Sequence, residues 1–197
     1  MSRSEISAVV LAGGYSSRMG KNKAELRLDD ESFIEHQISL IKQLGISDIM
    51  ISGSNQPPIV GTRLIGDIYP HRGPLSGIHA GLVSARYSSL LVIAVDNPLL
   101  TAELLEELLK SHESASAELT ILSHKGILEP LIGVYSKSLA AQCERILTEE
   151  KSSVRKLIDS SKSFCFEYAG DERLLMNCNT AAEYEELIKL YHELKGL

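Results

Sequence analysis

The sequence predicts an α/β fold: a single domain whose doubly wound, mostly parallel sheet has helices on both faces. Short apolar runs alternate along the chain with longer segments whose apolar residues recur at helical spacing, and this alternation is typical of parallel sheets. The run Ile6–Leu11 is apolar at nearly every position, as in strands that helices cover on both sides. No linker or repeat divides residues 1–197, an ordinary length for one domain.

The elements follow from these patterns in chain order. The predicted strands are 6–11, 46–52, 63–65, 90–95, 119–123, 128–135 and 164–168. The predicted helices are 33–44, one that begins at 74, one that begins after 101, 137–147, 154–158, and 180 to about 194. Ser32 and Thr101 are suited to the N-cap, Pro74 to the first turn, and Gly45 to the residue after a helix end.

Composition and charge narrow the class of function. The net charge is −6 and no basic block stands out, so we expect no nucleic-acid partner. No apolar run approaches the roughly 20 residues that span a bilayer, and Met1–Ser4 leads directly into a strand without the features of a signal peptide. Three widely spaced cysteines without a CxxC pair indicate neither a disulfide framework nor zinc. We therefore expect a cytoplasmic protein without a membrane partner.

Ligands of such sheets bind beyond the carboxyl ends of the strands, which draws attention to the loop after the first strand. Residues 11–23, LAGGYSSRMGKNK, are rich in glycine and include Arg18, Lys21 and Lys23. Glycines let backbone amides approach an anion closely, and the cations neutralise phosphate charge. A Walker loop does not fit, because Gly14 and Gly20 enclose five residues and Asn22 follows Lys21. The GxGxxG fingerprint is absent as well. A glycine-rich turn with solvated cations is the alternative.

Asp96 is the candidate metal ligand. It follows the most apolar predicted strand and precedes Asn97-Pro98. A carboxylate at that position is costly unless it is exposed or coordinated, and Mg²⁺ often takes only one or two protein carboxylates when phosphates and waters complete its shell. An aspartate that forms a turn before proline is the alternative interpretation.

Several motifs together carry a resemblance to a known family. They are LAGG-x-x-x-R-M-G-x-x-K, Gly73-Pro74-Leu75-Ser76-Gly77-Ile78, Val95-Asp96-Asn97-Pro98, Glu129-Pro130-Leu131 and Asn177-Cys178-Asn179-Thr180. In this order and spacing, over about 7–187, they resemble the molybdenum cofactor guanylyltransferases. That family belongs to the nucleotidyltransferases, whose sheet is doubly wound and Rossmann-like. The first loop alone identifies only this superfamily.

The resemblance implies transfer of GMP from GTP to the terminal phosphate of the molybdopterin cofactor, with Mg²⁺ and release of pyrophosphate. Apo-molybdoenzymes or their chaperones are the candidate recipients of the product. The residues implied to bind the nucleotide are Leu11, Ala12, Gly13, Gly14, Lys23, Asp67 and Asp96. Lys23, Arg18 and Asp96 are the implied catalytic residues, and Asp96 is the implied Mg²⁺ ligand.

Three further positions have two interpretations each. Asn179 is either a second contact to metal or phosphate or an N-cap of the last helix, a role that Thr180 can also fill. His71 and Arg72 either contact the pterin or are a solvated loop pair.

Departures from the family leave other functions open. Asn22 stands where the family has an aspartate before the last lysine of the loop, and Ser52 where relatives carry asparagine. The alternatives are a cytidylyltransferase, a sugar- or polyol-phosphate nucleotidyltransferase, and a non-catalytic nucleotide-binding assembly protein.

Overall fold

A computed structural model of the chain describes residues 5–13, 23–53 and 58–196. The strands in these ranges are β1 (Ile6–Leu11), β2 (Arg27–Leu28), β3 (Glu31–Ser32), β4 (Asp48–Ser52), β5 (Thr62–Ile65), β6 (Ser89–Ala94), β7 (Leu119–His124), β8 (Ile127–Ser136) and β9 (Ser163–Glu167). The α-helices are α1 (Phe33–Gln43), α2 (Pro74–Ser84), α3 (Ala102–Ala115), α4 (Ala140–Thr148), α5 (Val154–Ser160) and α6 (Ala181–Lys195).

The main sheet confirms the predicted fold class. Among the described residues it has seven strands in the order β5-β4-β1-β6-β8-β7-β9. Neighbours pair in parallel except where β8 pairs with β6 and β7. From β1 the chain builds the sheet outward through β4 and β5, and then returns through α2 to β6 on the other side of β1. This reversal places a crevice at the carboxyl ends of β1 and β6, where open α/β sheets bind ligands.

Two apolar clusters lie on the two faces of this sheet. One contains residues of α1, α3 and α6, and the other contains residues of α2, α4 and α5. Strand β1 contributes to both, since Ala8 and Val10 belong to the first cluster and Val9 and Leu11 to the second. A strand buried on both faces has no solvent-exposed side, which explains why five of the six residues of β1 are apolar and why the sixth, Ser7, is buried.

The predicted helix starts are confirmed by their hydrogen bonds. At α1, Ser32 Oγ accepts from the backbone amide of Glu35, and the backbone amide of Ser32 donates to Glu35 Oε2 over 2.9 Å. Thr101 caps α3 by accepting from the Leu104 amide, and α2 starts with Pro74 at its first turn. Gly45, with φ of 77°, follows the end of α1. Each cap satisfies backbone groups that a helix end leaves without partners.

The structure differs from the sequence prediction in short or polar segments. Strands β2 and β3 form a two-stranded antiparallel sheet that was not predicted, because each has only two residues and carries no apolar alternation. Strand β4 begins at Asp48 rather than at residue 46. None of the helices in the described ranges is both long and apolar enough to cross a bilayer.

Candidate active site

The ends of β1, β4 and β6 are joined by backbone hydrogen bonds that continue past the strands. The Ala12 amide donates to the Ser52 carbonyl over 2.9 Å, and the Val95 amide donates to the Leu11 carbonyl over 3.1 Å. These bonds hold the residues after β1, where the predicted phosphate loop begins, beside those after β6, where Asp96 lies. The topology and the hydrogen bonds therefore converge on the predicted edge of the sheet.

Lys23, Asp96 and Asn179 come together at this edge. Lys23 Nζ donates to Asp96 Oδ2 over 3.2 Å and to Asn179 Oδ1 over 2.5 Å. The Lys23 and Asp96 side chains are only 16% and 24% exposed, so solvent screens their charges less than at an open surface. A carboxylate oxygen and an amide oxygen that share one cation form a small site for positive charge.

Asn179 reaches this site from the last loop because of the way α6 is capped. Thr180 is the N-cap of α6, and Glu183 Oε2 accepts from the backbone amides of Asn179 and Thr180 over 2.6 and 2.9 Å. These bonds lower the pKa of Glu183, and the bond from the Asn179 amide has the largest effect. Thr180 thus takes the N-cap role in the described structure, and the Asn179 side chain is directed to Lys23 instead.

The segment before Asn179 is attached to the loop that follows β6. The Cys178 amide donates to the Asp96 carbonyl over 2.9 Å, and the Asn97 side chain donates from Nδ2 to the Leu175 carbonyl over 3.1 Å. Cys178 is buried, and burial raises the pKa of its thiol to about 11. The thiol is therefore protonated near neutral pH and fills space in the core.

Glu129 adds negative potential to the same edge. It lies half-buried near the start of β8, which is antiparallel to β6 and so begins where β6 ends. Burial, and then the charge of Asp96, raise the pKa of the Glu129 carboxyl. Sequence reasoning placed Glu129 within a motif but gave it no role, because only the antiparallel course of β8 brings it toward Asp96.

Asp67 lies on the other side of the crevice, after β5. It is exposed, and its Oδ1 accepts from Ser52 Oγ over 3.2 Å. A Cβ added at Gly77 in α2 would lie 2.7 Å from Ser52 Oγ and 2.9 Å from Leu11 Cδ2. Only glycine allows α2 to pack this closely on the ends of β1 and β4, so Gly77 helps to define the wall between Leu11 and Asp67.

The backbone after β1 is packed against the residue after β4. A Cβ added at Gly53, whose φ is 147°, would lie 3.1 Å from the carbonyl carbon of Ala12. A Cβ at Gly13 would lie 3.8 Å from Gly53 Cα. The predicted nucleotide contacts Gly14 and Arg18, together with Lys21 and Asn22, lie outside the described residues.

Arg72 reaches the carboxyl end of α4. Its Nε and Nη2 donate to the Leu147 carbonyl over 3.1 and 2.9 Å, and Nη2 also donates to the Glu149 carbonyl. The guanidinium thus satisfies carbonyls that a helix end leaves free. Arg72 is thus held by backbone carbonyls rather than by solvent alone, whereas its neighbour His71 is exposed with φ of 63°.

The donor set at Lys23 fits a hard divalent cation such as Mg²⁺. Asp96 and Asn179 offer oxygen atoms that already converge on one cation. Within the described ranges, no group of three or more His, Cys, Asp or Glu residues is arranged to hold a metal. A site with one carboxylate suits Mg²⁺, which keeps waters and substrate phosphates in its shell.

Comparisons of sequence show the family to which the chain belongs. The family described as "MobA-like NTP transferase domain" matches residues 8–164. A protein named "Probable molybdenum cofactor guanylyltransferase" from Carboxydothermus hydrogenoformans is 34% identical over 195 residues, with 94% of this chain and 96% of that protein covered. The molybdenum cofactor guanylyltransferase of Rhizobium leguminosarum bv. trifolii is 34% identical over 163 residues, covering 79% and 76%.

Solved structures share the fold. Molybdopterin-guanine dinucleotide biosynthesis protein A from Archaeoglobus fulgidus superposes with a TM-score of 0.80 at 22% identity, covering 95% of this chain and 99% of that one. A Mycobacterium tuberculosis protein solved in complex with manganese gives a TM-score of 0.69 at 15% identity, covering 94% and 98%. At these identities the likeness shows the fold alone.

Proposed function

The chain belongs to the family of MobA-like NTP transferase domains, and on that premise we propose that it transfers GMP from GTP to the terminal phosphate of molybdopterin. The observation that carries the proposal is the placement of Lys23 Nζ between Asp96 and Asn179, at the carboxyl ends of β1 and β6. Relatives of 34% identity are named for the molybdenum cofactor and for guanylyl transfer, which supports the choice of both substrates.

In the proposed reaction, an oxygen of the terminal molybdopterin phosphate attacks the α-phosphorus of GTP. The new P–O bond forms as the bond between the α-phosphorus and its bridging oxygen to the β-phosphate breaks, and pyrophosphate leaves with that electron pair. The attacking phosphate is already ionised near neutral pH, so the step needs no general base. The protein's task is to position two anions and to neutralise their charge.

We assign residues of the chain to that task as follows. The backbone at Leu11, Ala12 and Gly13 lines the nucleotide beside the strand ends, and Asp67 contacts it from the β5 side. Lys23, with Arg18 of the preceding loop, balances charge on the phosphates. Asp96, together with the Asn179 amide oxygen, would hold Mg²⁺, and a bound Mg²⁺ would supply Lewis-acid stabilisation of the transferring phosphate.

The choice of Mg²⁺ as the metal is part of the proposal. A structural neighbour was solved with manganese, and both ions accept the oxygen ligands that this site offers. We also propose a cytoplasmic location, where GTP and Mg²⁺ are available. Apo-molybdoenzymes or their chaperones are the proposed recipients of the product.

The test is a transfer assay with Mg²⁺, molybdopterin and labelled GTP, with CTP and ATP in parallel reactions. Guanylylated product with stoichiometric pyrophosphate is the expected result. Product from CTP alone would overturn the base assignment. In further reactions a sugar phosphate or a polyol phosphate replaces molybdopterin, and product only from these would overturn the acceptor. Binding of GTP without transfer to any acceptor would favour a non-catalytic assembly protein.

A further inference from the structure

A chain of buried hydrogen bonds lies directly behind Asp96. It starts at Gln37 of α1, which is fully buried, and continues to Asn97, whose exposure is only 2%. Gln37 Nε2 donates to the Asn97 carbonyl over 2.7 Å, and Asn97 Nδ2 donates to the Leu175 carbonyl over 3.1 Å. The chain therefore joins α1, the loop after β6 and the segment that leads to Asn179.

This chain differs from the core that surrounds it. Both side chains lie among apolar residues of the α1, α3 and α6 face, where leucine would remove the cost of burying amides. Gln37 Oε1 is buried without a hydrogen-bond partner in the part of the chain that the structure describes. The Gln37 amide therefore costs stability at its unpaired acceptor, while its donor holds the loop after β6.

The effect on the site follows from what each bond holds. Asn97 is the residue after Asp96, so the bond from Gln37 fixes the backbone that orients the Asp96 carboxylate. The segment from Leu175 to Cys178 is held by two bonds. Asn97 Nδ2 donates to the Leu175 carbonyl, and the Cys178 amide donates to the Asp96 carbonyl. Asn179 follows Cys178 directly, and its Oδ1 lies 2.5 Å from Lys23 Nζ.

We propose that Asn97, supported by Gln37, is a positioning residue that keeps Asp96 and Asn179 on the same cation. Asn97 does not touch the substrates in this proposal. It acts through Asp96 Oδ2 and Asn179 Oδ1, which line the site. The inference rests on the proposed nucleotidyl transfer for its kinetic consequence, but its structural consequence is independent of that activity.

The test compares Asn97→Leu with the wild type and with Ser7→Ala. Leucine has the same branching and the same number of side-chain heavy atoms as asparagine, although it is larger, and it removes the donor to Leu175. Ser7 is a matched control: it is also fully buried, it bonds Asp48 Oδ2 over 2.6 Å, and it lies at the amino end of β1, opposite the site. Gln37→Leu is the second variant, and it decides the question if Asn97→Leu does not fold.

The first measurement is hydrogen exchange of peptides that cover residues 172–180. We expect faster exchange there in Asn97→Leu, because the Cys178 amide loses the support of its neighbouring bond. Ser7→Ala should leave the exchange of this segment unchanged even where it lowers the melting temperature. Wild-type exchange of 172–180 in Asn97→Leu would overturn the proposal.

The second measurement is steady-state transfer and its dependence on Mg²⁺ concentration, well below the melting temperature of each variant. Asn97→Leu should lower kcat/KM about 10- to 100-fold and raise the Mg²⁺ concentration at half-maximal rate, whereas Ser7→Ala should change neither. Faster hydrogen exchange of residues 172–180 with an unchanged kcat/KM and an unchanged Mg²⁺ dependence would overturn the positioning role. If the wild type transfers no nucleotide, the proposed function fails, and Mn²⁺ binding to the same variants, followed by electron paramagnetic resonance, decides the positioning role separately.

Discussion

Lys23 Nζ lies 3.2 Å from Asp96 Oδ2, although 73 positions of sequence separate the two residues. We propose that a divalent cation would take the place of this ammonium at Asp96 Oδ2. Asn179 Oδ1, at 2.5 Å, gives the ammonium a second partner. In the proposed reaction Lys23 turns toward the phosphates, and its departure frees the Asp96 and Asn179 oxygens for the metal.

Replacement of Asp96 tests the metal assignment. Asp96→Asn keeps the size of the side chain and removes its charge, so we expect transfer to fall about 100-fold or more. The Mg²⁺ concentration for half-maximal rate should rise in the same assay. Equal rates for Asp96→Asn and the wild type at all Mg²⁺ concentrations would show that the metal is held elsewhere. A Glu167→Gln variant, at the edge of the sheet, serves as a control for loss of one surface carboxylate.

Replacement of Lys23 should separate metal binding from transfer. In Lys23→Met the ammonium no longer competes for Asp96, so we expect Mn²⁺ alone to bind about tenfold more tightly than to the wild type. Transfer should nevertheless fall, because the cation that neutralises phosphate is missing. Electron paramagnetic resonance of free Mn²⁺, without nucleotide, measures the first effect. Weaker Mn²⁺ binding by Lys23→Met would contradict this exchange of cations at Asp96.

Gly77 should be sensitive to the smallest addition of volume. A methyl group there would meet Ser52 Oγ at 2.7 Å and Leu11 Cδ2 at 2.9 Å, so we expect Gly77→Ala to destabilise the protein by about 1–3 kcal/mol. Urea unfolding followed by circular dichroism measures the change.

Gly66→Ala is the matched control for that change, since a Cβ at Gly66 has no heavy atom within 4 Å. Ser52→Ala combined with Gly77→Ala should recover part of the loss, because the nearest clashing atom is removed. A Gly77→Ala variant as stable as Gly66→Ala would show that α2 shifts without cost.

Asp48 should make stability depend on acid pH. Burial opposes its ionisation, but hydrogen bonds from Ser7 and Arg63 outweigh burial and hold the pKa of Asp48 below its usual value of 3.8. A carboxyl whose pKa is lower in the folded state stabilises the fold at pH values above its pKa in the unfolded state. That stabilisation is lost as the pH falls through its pKa in the folded state. We therefore expect the urea midpoint to drop as pH decreases below about 4.

The comparison for this prediction is Asp48→Asn, which cannot titrate. It should be less stable than the wild type at pH 7, because Arg63 loses its charged partner at 2.7 Å. Its urea midpoint should also depend less on pH between 5 and 3. Parallel pH profiles for the two proteins would assign acid unfolding to other carboxylates.

The layered fold was predictable because its information is local. The run Ile6–Leu11 is buried on both faces, as its composition indicates, and Ser32, Pro74 and Thr101 start helices through bonds made within a few residues. The antiparallel course of β8 was not predictable in the same way. It depends on pairing with strands distant in sequence, which apolar periodicity does not encode.

The sequence by itself determined the order of the helices and of the main-sheet strands, the loop after β1 and the candidate carboxylate Asp96. Only the tertiary structure decided which side chains meet there. It brought Asn179 to Lys23, turned Arg72 toward α4, and placed Asn97 between Gln37 and Leu175. The physical reason is that caps and burial patterns arise from neighbours along the chain, whereas contacts at the crevice arise where the packing of separate strands and helices brings distant residues within hydrogen-bond distance.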